Sequence, residues 1–195
     1  MNSILSSKIL KLTVKRDKSG LNHFWPQYDV LYSEDCKHLL SFKKKYGNTT
    51  ANYSISLDKN DFDKGPSILG KARSNFTGSV FNIFDKGANP SKSVTNETVR
   101  HLLATIVFYQ NNLEEVGPRE FNVYSIKDNY TYYDLEGISL GSAECSLDKL
   151  YEIAKNKSKI NVFKNRKPKW CQKIEGYIMD FGGRVEKPSV KNFIL

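Results

Sequence analysis

The chain has 195 residues and a net charge of +9, from 30 Lys and Arg against 21 Asp and Glu, with 39% hydrophobic and 12% aromatic residues. That length suits one folding unit with a buried core, and that composition is too apolar for a disordered tail and too polar for a membrane span. The positive excess favours polyanionic partners, nucleic acid or acidic lipid, without choosing between them. Cys36, Cys145 and Cys171 are widely spaced, with neither metal-ligand nor redox-pair spacing, and read as reduced thiols of a cytosolic protein. Ile4 and Leu5 are followed at once by Ser6, Ser7 and Lys8, unlike a secretory signal. The longest apolar run, 102–108, is broken by Thr105 and falls far short of the roughly 20 residues of a spanning helix, so any membrane association is expected to be peripheral.

Alternation of apolar and polar residues, the period of half-buried strands, dominates the first half. Leu10, Leu12 and Val14 alternate with Lys11, Thr13 and Lys15, and Asp17 to Gly20 supply a turn. Beyond Pro26, Tyr28 to Tyr32 and Leu39 to Phe42 are strand candidates. Tyr53, Ile55 and Leu57 then face one way, and Asn52, Ser54 and Ser56 the other. Ile68 to Asn75 and Val80 to Phe84 follow, around a turn at Thr77 and Gly78. Val99 to Tyr109 and Glu120 to Ile126 are longer β-branched and aromatic stretches, separated by a loop with Gly117 and Pro118. Residues 127–156 read as an insertion whose last part, Ser146 to Asn156, has Leu147, Leu150, Tyr151 and Ala154 at helical spacing behind a Ser146 cap. Tyr177 to Phe181 and Ser189 to Leu195 resume strand character. Many short strands with turn signals define a mainly β, mostly antiparallel sandwich or barrel with minor α content.

Catalytic spacing is missing: His23, His38 and His101 are isolated, and Glu114 and Glu115 are adjacent and so point in different directions. No cofactor motif stands out, and Gly182, Gly183 and Arg184 have neither the Walker spacing nor a following helix, so they read as a bend or bulge. The segment GKARSN, Gly70 to Asn75, is more informative. In a strand, Lys71 and Arg73 project on one face with Ala72 opposite. Arg holds a phosphate with a planar fork and Lys with a compact point charge. By spacing alone a solvated strand face accounts for the pair equally well.

Six ordered stretches decide between these readings. RDKSG (Arg16 to Gly20), ANYSISLD (Ala51 to Asp58), LGKARSNFTGSVFNIFDKGANP (Leu69 to Pro90), GPRE (Gly117 to Glu120), RKPKW (Arg166 to Trp170) and FGGRVEKPSVKNFIL (Phe181 to Leu195) resemble successive blocks of the tubby carboxy-terminal domain, over nearly the whole chain. The resemblance implies a single domain over 1–195, an antiparallel barrel of about a dozen strands closed around a central hydrophobic helix. It also implies a cationic pocket for phosphatidylinositol bisphosphate, formed by Asn52 in ANYSIS, Lys71 and Arg73 in GKARSN and Arg119 in GPRE. Lys71 and Arg73 are expected to clamp the ring phosphates, Arg119 to add a third cation and the Asn52 amide to orient a phosphate or hydroxyl. Glu120 is expected to neutralise part of Arg119. Lys43, Lys44 and Lys45, and the run Lys164, Arg166, Lys167 and Lys169, are candidate secondary contacts with anionic lipid.

Two departures accompany the resemblance. Ala72 stands where the family usually has a larger apolar residue, and the family pattern continues to a terminal apolar helix whereas this sequence ends at Leu195, so an open barrel with exposed strand edges is expected. The implied function is a non-enzymatic adaptor at the cytosolic face of the plasma membrane that binds phosphatidylinositol 4,5-bisphosphate or related inositides and couples lipid state to protein cargo or signalling. The alternative is a nucleic-acid-binding, transcription-regulating module with the nucleus as its address. That alternative lacks a recognition-helix pattern and an aromatic stacking platform.

Overall fold

The computed structural model describes residues 9–63, 65–88, 100–109, 118–127, 159–189 and 191–195. Among the described residues eleven strands follow in chain order: β1 (Leu12–Asp17), β2 (Gln27–Tyr32), β3 (His38–Lys44), β4 (Asn52–Ser56), β5 (Ile68–Ser74), β6 (Val80–Asp85), β7 (Leu102–Tyr109), β8 (Glu120–Ile126), β9 (Ile160–Lys164), β10 (Lys169–Cys171) and β11 (Gly176–Ile178). β1 to β9 form one sheet in sequence order, and β10 and β11 form a separate two-stranded hairpin. The mainly β, antiparallel expectation therefore holds, whereas a ring of about a dozen strands is not among the described pairings. The helix expected at 146–156 and nearly all of the expected insertion lie outside the described residues, as does Cys145. Contacts cluster into two units, Met1–Ala72 and Arg73–Leu195, each described by itself.

In the first unit the strands are joined by turns rich in Asp, Ser and Gly. Asp17 Oδ1 accepts from the backbone N of Ser19 at 2.8 Å and from its Oγ at 2.7 Å, and Asp17 Oδ2 accepts from the Asn22 amide. These bonds, the Ser19 backbone bond first, hold the Asp17 carboxyl below the usual carboxylate range. A depressed carboxylate pKa contributes stability that is present above its unfolded pKa and lost as pH falls through the folded one. The melting temperature of Asp17→Ala is therefore expected to lie below that of the parent at neutral pH and to converge with it on acidification from about pH 5 to pH 2; a constant gap across that titration would show that the carboxylate charge is not what matters.

The amphipathicity of the first unit runs opposite to the usual pattern. On β2, β3 and β4, Tyr28, Phe42 and Ile55 align in register on one face, with Tyr28 stacked on Phe42 at 4.9 Å, and all three are only half-buried. The other face carries Gln27, Ser41, Asn52, Ser54 and Ser56, and all five are buried. Alternation on β4 is as expected, but its buried side is the polar one. The buried groups are satisfied in part: Ser41 Oγ donates to Asp29 Oδ1 at 2.5 Å, and the Gln27 amide donates to the carbonyl of Lys59 at 2.9 Å. β1 also departs from the half-buried expectation, since Leu12 and Val14 are exposed on this terminal strand of the sheet order.

The second unit has a conventional core. Val80 and Phe84 of β6, Leu102 and Val107 of β7, Tyr124 of β8 and Ile160 of β9 form one buried cluster, with Tyr109 and Ile126 packed against it. Within it Thr105 Oγ1 donates to Asn82 Oδ1 at 2.9 Å, joining β6 and β7 at a matched register position. The β6–β7 register shifts between Ile83 and Phe84, so that Phe84 comes opposite Leu102. β9 and β10 were not anticipated from the sequence. Ser189 to Leu195 contributes no strand among its described residues, though the carbonyl of Ile194 accepts from the N–H of Arg166 at 2.8 Å. Gly182 and Gly183, both at positive φ, form a turn rather than a bulge, closed by Arg184 N–H donating to the carbonyl of Phe181.

Candidate functional site

β5 alternates as the sequence requires: Ile68 and Gly70 are buried, while Leu69 is exposed and Lys71 half-buried two residues further on. Asn52 and Lys71 belong to the first unit; Arg73 and Arg119 belong to the second. Asn52, at the start of β4, is 6% exposed, and its Oδ1 is buried with no hydrogen-bond partner. The adjacent inward position, Ser54, has a buried and equally unpartnered Oγ. Two free acceptors on one buried strand face are a cost the fold carries, of roughly 1–3 kcal/mol each.

In the second unit the residue that stands with Arg73 is Arg100. It opens the segment leading into β7, its N–H donating to the carbonyl of Ala88 at 3.1 Å. Arg100 is 7% exposed. Its guanidinium lies 4.7 Å from the centroid of the Phe84 ring. Burial, and then the nearby charge of Arg73, lower the Arg100 pKa. The Nε atoms of both arginines are buried without a hydrogen-bond partner, and neither guanidinium forms an ion pair among the described residues. Asp85, at the end of β6, is engaged with His101: its carboxylate accepts from His101 N–H at 2.5 Å and pairs with His101 Nδ1 at 2.9 Å. His101 is therefore not isolated. Two like charges that act on each other, with both Nε donors unsatisfied and the Phe84 ring face against one of them, form an arrangement that an anion stabilises.

By sequence Arg100 falls only within the strand candidate Val99 to Tyr109. A lone cation at the head of the apolar run 102–109 was the available signal, since such a charge is rarely buried without a partner. Arg119 lies just ahead of β8 with its side chain exposed, and its carbonyl accepts from the Asn165 amide at 2.8 Å. Glu120 does not serve it as expected: its Oε1 is 2.6 Å from Lys167 Nζ. Of the secondary lysines, Lys43 sits 5.8 Å from the Phe62 ring centroid and Lys45 is 3.9 Å from Asp63.

One arrangement imitates a catalytic triad. His38 Nε2 is 2.8 Å from Ser41 Oγ, and that Oγ donates to Asp29. With its proton directed at the carboxylate, the hydroxyl accepts from His38 rather than being deprotonated by it, and Ser41 is 0% exposed. The cluster joins strands; it offers no accessible nucleophile. Among the described residues no group of three or more His, Cys, Asp or Glu side chains is placed to hold a metal ion.

The comparisons agree with the block pattern. A profile of the Tub family matches residues 1–195. The chain is 34% identical over 194 residues to Tubby-related protein 3 of Mus musculus, covering 94% of this chain and 41% of that protein. It is 31% identical over 206 residues to Tubby protein homolog 1 of Caenorhabditis briggsae (95% and 46%), and 32% identical over 193 residues to Tubby-related protein 1 of Mus musculus (95% and 35%). The chain thus belongs to the Tub family, and it spans less than half the length of these relatives.

Proposed function

We propose that this chain is a non-enzymatic adaptor that binds phosphatidylinositol bisphosphate headgroups at the cytosolic face of a membrane. The observation that carries the reading is Arg73 and Arg100: two guanidinium groups close enough for the charge of one to act on the other, each with a buried and unpartnered Nε, one of them lying over an aromatic face. A dianionic phosphate matches such a pair in charge and in forked donor geometry. Lys71, two residues before Arg73, supplies a point charge, the Asn52 amide an uncharged contact, and Arg119 a further cation. Tub family membership supports this reading, and with it a coupling of lipid state to cargo or signalling.

Co-sedimentation with phosphatidylcholine vesicles doped with phosphatidylinositol 4,5-bisphosphate tests the site. The double variant Lys71→Ala with Arg73→Ala is expected to bind at least tenfold more weakly, since each charged hydrogen-bonding group contributes about 1.5–3 kcal/mol. Undiminished binding would show that the site is elsewhere. Binding to duplex DNA with a steep salt slope, and none to the vesicles, would replace the lipid reading with the nucleic-acid one.

A further inference from the structure

The turn that joins β5 to β6 is over-determined. Asn75 N–H donates to the carbonyl of Val80 at 3.0 Å, and Gly78 N–H donates to the carbonyl of Asn75 at 3.2 Å. Asn75 Oδ1 accepts from the N–H of Ser79 at 3.0 Å and of Val80 at 3.1 Å, and Asn75 Nδ2 donates to Ser79 Oγ at 3.0 Å. Gly78 takes the left-handed conformation that completes such a turn, with φ of 71°. A loop tied at so many points has little freedom to fold its tip back onto the protein. At that tip stands Phe76, 87% exposed, more than any other large hydrophobic side chain among the described residues.

A single exposed apolar side chain is ordinary, so exposure alone decides nothing. Position does. Phe76 follows Arg73 by three residues, which span at most about 11 Å even when fully extended. The polar layer between water and the hydrocarbon of a bilayer is about 5–8 Å deep on each side. A ring that close to a phosphate-holding guanidinium reaches the acyl boundary while the headgroup stays in the layer above. The turn, 75–79, contains no acidic residue that would be driven off by anionic lipid, and the cations nearest it in the sequence, Arg73 and Lys71, are attracted to it.

We propose that Phe76 is a membrane wedge: a pre-ordered aromatic tip that inserts into the interface of an anionic bilayer as the adjoining arginines take the headgroup. The inference rests on the phosphoinositide reading and adds to it a hydrophobic contact with the lipid surface itself. It makes membrane-embedded bisphosphate a better ligand than the same headgroup free in solution, because only the former comes with a surface for the ring.

Two ligands separate the two claims. The parent and Phe76→Ser are titrated with soluble inositol 1,4,5-trisphosphate and sedimented with phosphatidylcholine vesicles carrying phosphatidylinositol 4,5-bisphosphate. Phe76→Ser is expected to bind vesicles at least tenfold more weakly while its affinity for the free headgroup stays within about twofold. Equal vesicle affinity for the two proteins, with the free headgroup still bound, overturns the wedge and leaves the phosphoinositide reading standing. Failure of the parent to bind either ligand overturns both. Phe76→Trp gives a readout independent of affinity: added tryptophan fluorescence, relative to the parent with Trp25 and Trp170, is expected to be quenched by vesicles of brominated lipid. Vesicle-bound protein without that extra quenching also overturns the proposal.

Discussion

Arg100→Met is expected to leave the protein at least as heat-stable as the parent while weakening its binding to phosphatidylinositol 4,5-bisphosphate vesicles by about 10- to 150-fold. The two effects share one cause. Arg100 is charged and buried, and the charge of Arg73 adds to the cost of keeping it so; both influences lower its pKa, which means the fold disfavours the charged form. Replacing a buried charge that has lost its water by an apolar side chain of similar length is often neutral or stabilising, because desolvation is no longer incurred and the packing on Phe84 is kept. On that outcome the guanidinium is retained against stability, as expected of a residue that meets an anion. The loss of affinity corresponds to one charged hydrogen-bonding group, about 1.5–3 kcal/mol. Thermal denaturation with and without the soluble headgroup reads both at once, since a ligand that binds only the folded state raises the melting temperature in proportion to its affinity. A variant that melts several degrees lower yet binds vesicles like the parent would make Arg100 a structural residue and return the search to Arg119.

The order of strands was readable because each turn announces itself. Asp17 to Gly20, Pro26 and Thr77 with Gly78 all fall between alternating runs, and β2, β3, β5, β6 and β8 begin and end within two residues of where the runs do. β9 and β10 were not readable. INVFK is set among Lys and Asn residues, and KWC is too short to show a period. A second limit is more general. Alternation on β4 separates Asn52, Ser54 and Ser56 from Tyr53 and Ile55 but is unchanged when the two faces are exchanged, so the pattern cannot say which face is buried. The customary choice, apolar inward, is the wrong one for that strand. For the site, Lys71 and Arg73 were legible because two cations at a spacing of two lie within one strand. Arg100 was not, because Arg73 is on β5 and Arg100 just ahead of β7, with β6 between those strands, so what relates the two is the strand order rather than nearness in sequence. The register shift at Ile83 and Phe84 belongs to the β6–β7 pairing. The exposure of Phe76 was hidden for a related reason: FTG reads as a turn, but nothing local tells whether its phenyl packs back or points out.

Phe84→Ala is expected to cost about 3–5 kcal/mol of stability, the largest loss of any substitution considered, because Phe84 is 7% exposed and packed in the cluster with Val80, Leu102, Val107, Tyr124 and Ile160. Alanine leaves a cavity there and also removes the ring face beneath Arg100, and Phe84→Leu separates these effects. Leucine fills most of the space but has no π face, so the Leu variant should lose less stability in urea while Arg100 loses a cation–π contact of about 0.5–2 kcal/mol. If the ring is what holds the guanidinium in place for an anion, Phe84→Leu also weakens vesicle binding severalfold, and that penalty disappears in the Arg100→Met background. A double-mutant cycle over Phe84→Leu and Arg100→Met states the expectation as one number, a coupling of about 0.5–2 kcal/mol in the free energy of unfolding. Additivity of the two substitutions would mean that the ring serves the core alone, and that the orientation of Arg100 is set by its backbone bond to Ala88 rather than by the aromatic face under it.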